Sequence, residues 1–97
     1  MAKGYWINFF HSVTDPKKFD AYRKLAGPVM QASGARALVR GAPAKVYEAG
    51  LLQTVVVFEF DSVEQAIAVH DSPGYQAALQ ALDNGAKRDL RIVEGLA

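Results

Sequence analysis

Two histidines, His11 and His70, are the chain's only imidazoles, and it has no cysteine. Disulfides, thiolate metal sites and cysteine nucleophiles are therefore excluded. Two distant histidines with no third ligand in register make no zinc pattern. His70 stands at a break between two helical patterns, "VHDSPGYQ", residues 69–76. A histidine there can act as a base or bind a ligand, or simply cap a helix C-terminus, where a positive ring suits the dipole. Glu59 interrupts the apolar run "QTVVVFEF", residues 53–60. A desolvated carboxylate at that place rises in pKa and serves as a general base or polar anchor. Paired with Arg91 or Arg40, it is a structural ion pair instead. Trp6 and Asn8 alternate along "GYWINFFH" and so share one face of a strand. Arg40, just before Gly41, can hold a carboxylate through two parallel hydrogen bonds, or can guard a sheet edge. Tyr75 can aim its hydroxyl at the sheet end or only pack its ring. Trp6, Asn8, Arg40, Glu59 and Tyr75 are thus the expected ligand-binding set, and Glu59 and His70 the candidates for catalysis. No Gly-rich phosphate loop and no Ser-His-Asp order is present.

The elements that position these residues belong to a short chain. Ninety-seven residues predict a single domain over 1–97. A chain of that size buries roughly 60–65% of its unfolded surface. Apolar residues are 51%, charged residues 22%, and the formal net charge is +1. This is a folding composition with no basic excess to attract nucleic acid or an anionic membrane. "MAKGYWINFF" lacks the apolar core and small-residue site of a secretion signal. No apolar run reaches the ~18–20 residues that span a bilayer. The expectation is a cytoplasmic protein with neither nucleic acid nor membrane as partner, and with no cofactor.

Residues 4–11 read as a strand, apolar on both faces and hence central. "VTDP" opens a helix, with Asp15 as cap and Pro16 at the first position. Phe19, Tyr22, Ala26, Val29 and Met30 form its apolar stripe, Gly27-Pro28 should kink or split it, and Gly34 should end it. Residues 35–40 read as an edge strand flanked by arginines, and residues 53–60 as a second central strand. Ser62 with Gln65 makes a capping box, and Ser72 with Pro73 starts a further helix that Asn84-Gly85 ends. Residues 88–95 close the chain as an edge strand. Leu90 and Ile92 lie on one face of it, Arg91 and Val93 on the other.

Strand, helix, strand, strand, helices, strand is the order of the ferredoxin-like split βαβ fold. It is an α+β class with a four-stranded antiparallel sheet and helices on one face. Trp6, Phe10, Val39, Val55, Val57 and Val93 are expected to line the other, uncovered face. At ~25 cal/mol per Å2, leaving even ~500 Å2 of that face wet would forgo about 12 kcal/mol, comparable with a whole domain's stability. The remedy is a second copy laid sheet against sheet, a homodimer enclosing a barrel-like interior.

The residues "GYWI" (4–7), "VTDP" with Phe19 and Tyr22, "LVRG" (38–41), "FEFDS" (58–62), "DSPGYQ" (71–76) and "RIVEG" (91–95) resemble the DUF1330 family of the dimeric α/β-barrel superfamily. The resemblance covers nearly the whole chain. It departs at Gly34-Ala35, where the family has two glycines, and at Ala42, where it has a second glycine after Arg-Gly. Near the end of the last helix Leu82 and Asp83 stand in place of a basic residue. The resemblance implies a dimeric α/β barrel and names no activity. Within the superfamily, positions similar to Trp6 and Asn8 bind substrate in cofactor-free monooxygenases and haem-degrading enzymes. Leu79 stands where haem degradation would want a histidine.

Three functions follow as expectations. The first is a homodimer binding a small apolar or carboxylate-bearing molecule in or beside the sheet-to-sheet interface. The second is a cofactor-independent monooxygenase or isomerase, and the third an interaction module without ligand.

Overall fold

The computed structural model describes residues 2–96. Its elements are β1 (Gly4–Val13), α1 (Pro16–Ala32), β2 (Arg36–Gly41), β3 (Val55–Phe60), α2 (Val63–His70), α3 (Pro73–Leu82) and β4 (Ala86–Glu94). The strands form one antiparallel sheet in the order β2-β3-β1-β4, so β1 and β3 are central as the apolar runs required. The helices lie on one face, which makes the fold a ferredoxin-like split βαβ of the α+β class. The Cα atoms span 38 × 36 × 16 Å, a slab one sheet and one helix layer thick.

The local chemistry that starts each helix is in place. The Asp15 carboxylate accepts from the amides of Lys17 and Lys18, and Pro16 follows at the first position. Ser62 Oγ accepts from the Gln65 amide at 3.1 Å, while Gln65 Oε1 reaches back to the Asp61 amide at 2.9 Å. Ser72 Oγ accepts from the amide of Tyr75, with Pro73 at the start of α3. Gly34 leaves α1 at φ 78°, a left-handed turn that a side chain would strain. Asp83 takes a similar φ of 51° after α3, one residue before the expected Asn84-Gly85 stop. Gly4 meets a different demand. A Cβ there would lie 2.5 Å from the Ser62 carbonyl oxygen, so the N-terminal end of α2 rests directly on β1.

Two expectations are corrected. Of the expected kink or split at Gly27-Pro28, the split does not occur: α1 runs continuously over Pro16–Ala32. Pro28 lacks the N–H for the Lys24 carbonyl, but both residues are exposed, and water serves a carbonyl on that side. Trp6 and Phe10 face the helices rather than the open face. Both faces of β1 are apolar, so alternation alone does not choose between them. Ring volume chooses: Trp6 and Phe10 fill the layer beneath Tyr75, Phe19 and Phe60.

Register then sorts the rest, because directly paired residues point to one side. Trp6 lies between Phe58 and Ile92, and Asn8 between Val56 and Leu90, all toward the helices. Tyr5, Ile7 and Phe9 face the open side beside Glu59, Val57 and Val55 on β3 and Val93, Arg91 and Asp89 on β4. Val39 joins them from β2.

Candidate functional site

On the helix side, β1 and β4 present a grid of six residues: Trp6 beside Ile92, Asn8 beside Leu90, and Phe10 beside Arg88. Aromatic rings close over it. Trp6, 2% exposed, stands edge-on to fully buried Tyr75 at 5.0 Å between centroids, and His70 packs against both, at 5.7 and 5.2 Å. His70 ends α2 and Tyr75 stands in the first turn of α3, so the helix break at Asp71-Ser72 brings both rings over Trp6. Beside them a cleft of about 260 Å3 opens between α2 and β4, lined by Ile67, His70, Asp71, Leu90 and Ile92. His70 Nδ1 lies 3.1 Å from Asp71 Oδ1, which orients the ring and leaves Nε2 as its second polar atom.

Behind the rings lies a polar chain. The hydroxyls of Tyr22 and Tyr75 share a hydrogen bond of 2.7 Å, and Arg88 Nη1 donates to Tyr22 Oη at 3.0 Å. The Arg88 guanidinium also lies over the Tyr22 ring at 4.7 Å. Burial raises the pKa of the Tyr75 hydroxyl well above the ordinary phenol range, so Tyr75 holds its proton. Burial works against the Arg88 charge, yet the two tyrosine oxygens outweigh it and hold its pKa above the usual value. Among the described residues no carboxylate pairs with Arg88. Asn8, 5% exposed, keeps its Oδ1 buried without a hydrogen-bond partner. Two phenols carry two protons, and only one sits in their shared bond. The interior therefore holds a free acceptor, a spare O–H and a cation without a counter-anion; an anionic oxygen suits the last two, and a hydrogen-bond donor the first.

The other residues singled out in the sequence lie elsewhere. Glu59 is on the opposite face of the sheet, where Arg36 Nε donates to it at 2.7 Å and Tyr5 Oη at 2.9 Å. The Arg36 hydrogen bond, followed by that of Tyr5, lowers its pKa below the usual carboxylate value. That is the sign of an ion pair and the opposite of the raised value a general base would show. Its partner is Arg36, not Arg91 or Arg40. Arg91 is held by Asp89 through two hydrogen bonds of 2.8 and 3.1 Å. Arg40 is exposed on edge strand β2, over the Phe58 ring at 5.9 Å, with two strands between it and β4. Trp6, Asn8, His70 and Tyr75 thus come together, while Glu59 and Arg40 do not join them. Tyr22 and Arg88 were missed as functional residues. The signal for Arg88 was its phase: it precedes Leu90 and Ile92 by two and four residues, which places a cation on the covered face.

This is the ferredoxin-like split βαβ fold. The chain matches the DUF1330 family, a domain of unknown function, over residues 3–96, and belongs to it. Among solved structures it is similar to RPA0582 of Rhodopseudomonas palustris, a protein of unknown function, with TM-score 0.76 and 16% identity over 99% of this chain and 84% of that one. A dimeric ferredoxin-like protein of unknown function from Thermobifida fusca gives TM-score 0.60 and 17% identity, covering 96% of this chain and 91% of that one. SnoaB from Streptomyces nogalater, a cofactor-independent oxygenase, gives TM-score 0.65 and 10% identity over 100% and 96% of the two chains. At these identities the likeness is one of fold. No curated protein matches the chain. Among the described residues, no helix is long and apolar enough to cross a membrane.

Proposed function

We propose that the chain works in the cytoplasm as a homodimer and binds a small organic acid: an apolar body carrying a carboxyl, phenol or enol. The observation that supports this is the buried, unpaired Asn8 Oδ1 in one layer with the uncompensated Arg88, beside a cleft lined by Ile67, Leu90 and Ile92 together with His70 and Asp71. The body fits against Ile67, Leu90 and Ile92, with His70 at the mouth. Trp6 is the chain's single tryptophan and touches His70, so its fluorescence reports occupancy. Titration with benzoate and with hydroxynaphthoates is expected to give a saturable change in that signal. Ile67→Phe, a swap at a half-exposed wall residue, weakens binding at least about tenfold by filling the space. A flat response to every member of the set at millimolar concentration would end this reading.

A second reading is favoured by the Asp71-oriented His70 ring. With Nδ1 held, Nε2 can take a proton from an acidic C–H or O–H of the bound molecule. The resulting enolate either takes a proton back at another carbon, as in an isomerase, or adds dioxygen at a carbon that still bears a hydrogen to give a hydroperoxide that loses water and leaves a new C=O, as in an oxygenase without cofactor. The fold shared with SnoaB is compatible with this chemistry. In deuterated buffer the wild type is expected to exchange the acidic C–H of a bound ketone. His70→Gln should still bind but exchange at least 100-fold more slowly. Equal exchange in both would leave only the binding reading.

A further inference from the structure

Resting on the homodimer reading, we infer that the segment between β2 and β3, residues 42–54, is an arm by which each copy clasps the other. The sheet offers a modest footprint for the task. Four strands about 4.8 Å apart, at about 3.3 Å per residue, give it a plan area of about 500 Å2. A stable dimer buries about 800 Å2 per partner.

The arm supplies apolar surface in the same direction. Its tip is a fixed turn, with the Gly50 amide donating to the Tyr47 carbonyl at 2.9 Å and Glu48 at φ 53°. Around that turn Tyr47 is 75% exposed, Leu52 67% and Leu51 half-exposed. Tyr47 and Leu52 are left mostly to solvent and Leu51 half so, apolar area that a second copy can cover. Between the arm and the open face runs a groove of about 250 Å3, whose lining includes Phe9, Val55 and Leu51. Phe9, Val55 and Leu51 connect arm, groove and open face, with His11, Gln53, Asp89 and Arg91 also along the groove.

Its charges suit a second copy better than any charged partner. Arg36 pairs with Glu59 and Asp61, and Arg91 with Asp89, so ions of both signs are matched within the chain. These sheet charges can thus meet a second copy already paired. A two-fold arrangement repeats the contact, each arm reaching over the other sheet.

Sedimentation equilibrium on the purified chain and on the double variant Tyr47→Asp, Leu52→Asp tests this. Amide hydrogen exchange of residues 47–52 is followed across the dimerisation midpoint. The expected result is a wild-type dimer, at least 100-fold weaker association in the double variant with unchanged far-ultraviolet circular dichroism, and slower exchange at the arm tip as dimer forms. A wild-type dimer whose strength the double variant leaves unchanged, with exchange at the tip independent of concentration, overturns the clasp and leaves the homodimer standing. A wild type that is monomeric throughout overturns both.

Discussion

Trp6→Ala lowers the unfolding free energy by about 3–5 kcal/mol, the range for removing a large aromatic side chain from a core that relaxes only in part. Trp6 is 2% exposed and touches the rings of Phe60, His70 and Tyr75, so no neighbour is free to fill its place. The loss is read from urea unfolding followed by circular dichroism at fixed protein concentration, since association contributes to the apparent stability of a dimer. Leu38→Ala is the control. Leu38 is half-exposed on edge strand β2, and its truncation should move stability by no more than about 0.5 kcal/mol. The Trp6 variant is also expected to lose ligand binding, followed by titration calorimetry because the fluorophore is gone, since the ring supports His70 from below. A loss under about 1 kcal/mol would mean that the rings around Trp6 rearrange to fill the gap and that the site has no rigid floor.

In the proposed homodimer, Val57→Asp is expected to give monomers without unfolding the chain. Val57 lies mid-sheet on the open face, between Ile7 and Val39 in register. In a lone copy the new carboxylate points to water. In a sheet-to-sheet dimer it is buried without a counter-ion, at a penalty of about 3–5 kcal/mol. A two-fold dimer buries two such carboxylates, so the dissociation constant rises by at least roughly two to four powers of ten. Sedimentation reads the change directly, and circular dichroism verifies the fold. An undisturbed dimer would show that the copies meet elsewhere, and the proposed interface would have to move with it.

Strand order and helix starts were legible in the sequence because local chemistry dictates them. Asp15-Pro16, Ser62 with Gln65, and Ser72-Pro73 satisfy free amides wherever they occur, and each marks a helix start in the structure. The centrality of β1 and β3 followed from their apolar faces. Which face of β1 met the helices was not legible, since Tyr5, Ile7 and Phe9 are as apolar as Trp6 and Phe10. Only the packing of Trp6 under Tyr75 decides it. The same ambiguity put Glu59 in one expected site with Trp6 and Asn8, although a sheet separates them. Arg36, the partner of Glu59, was invisible for a related reason. Pairing across β2 and β3 depends on register, and the shift between Ala37 and Val39 sets that register. Tyr22 read as one more ring of a helix stripe. Its hydroxyl gains meaning only where α1 and α3 bring it to Tyr75 and Arg88.

Gly4 has a consequence at a distance. Its bare Cα lets the Ser62 backbone come down onto the first residue of β1. Ser62 caps α2, and His70 ends that helix about 12 Å further on. The helix is a short stiff lever whose near end is seated by what β1 lacks at Gly4. A methyl group at Gly4 would lift the seat and swing the imidazole at the far end relative to Leu90 and Ile92. The gauge of the binding cleft is thus written at a residue that does not line it.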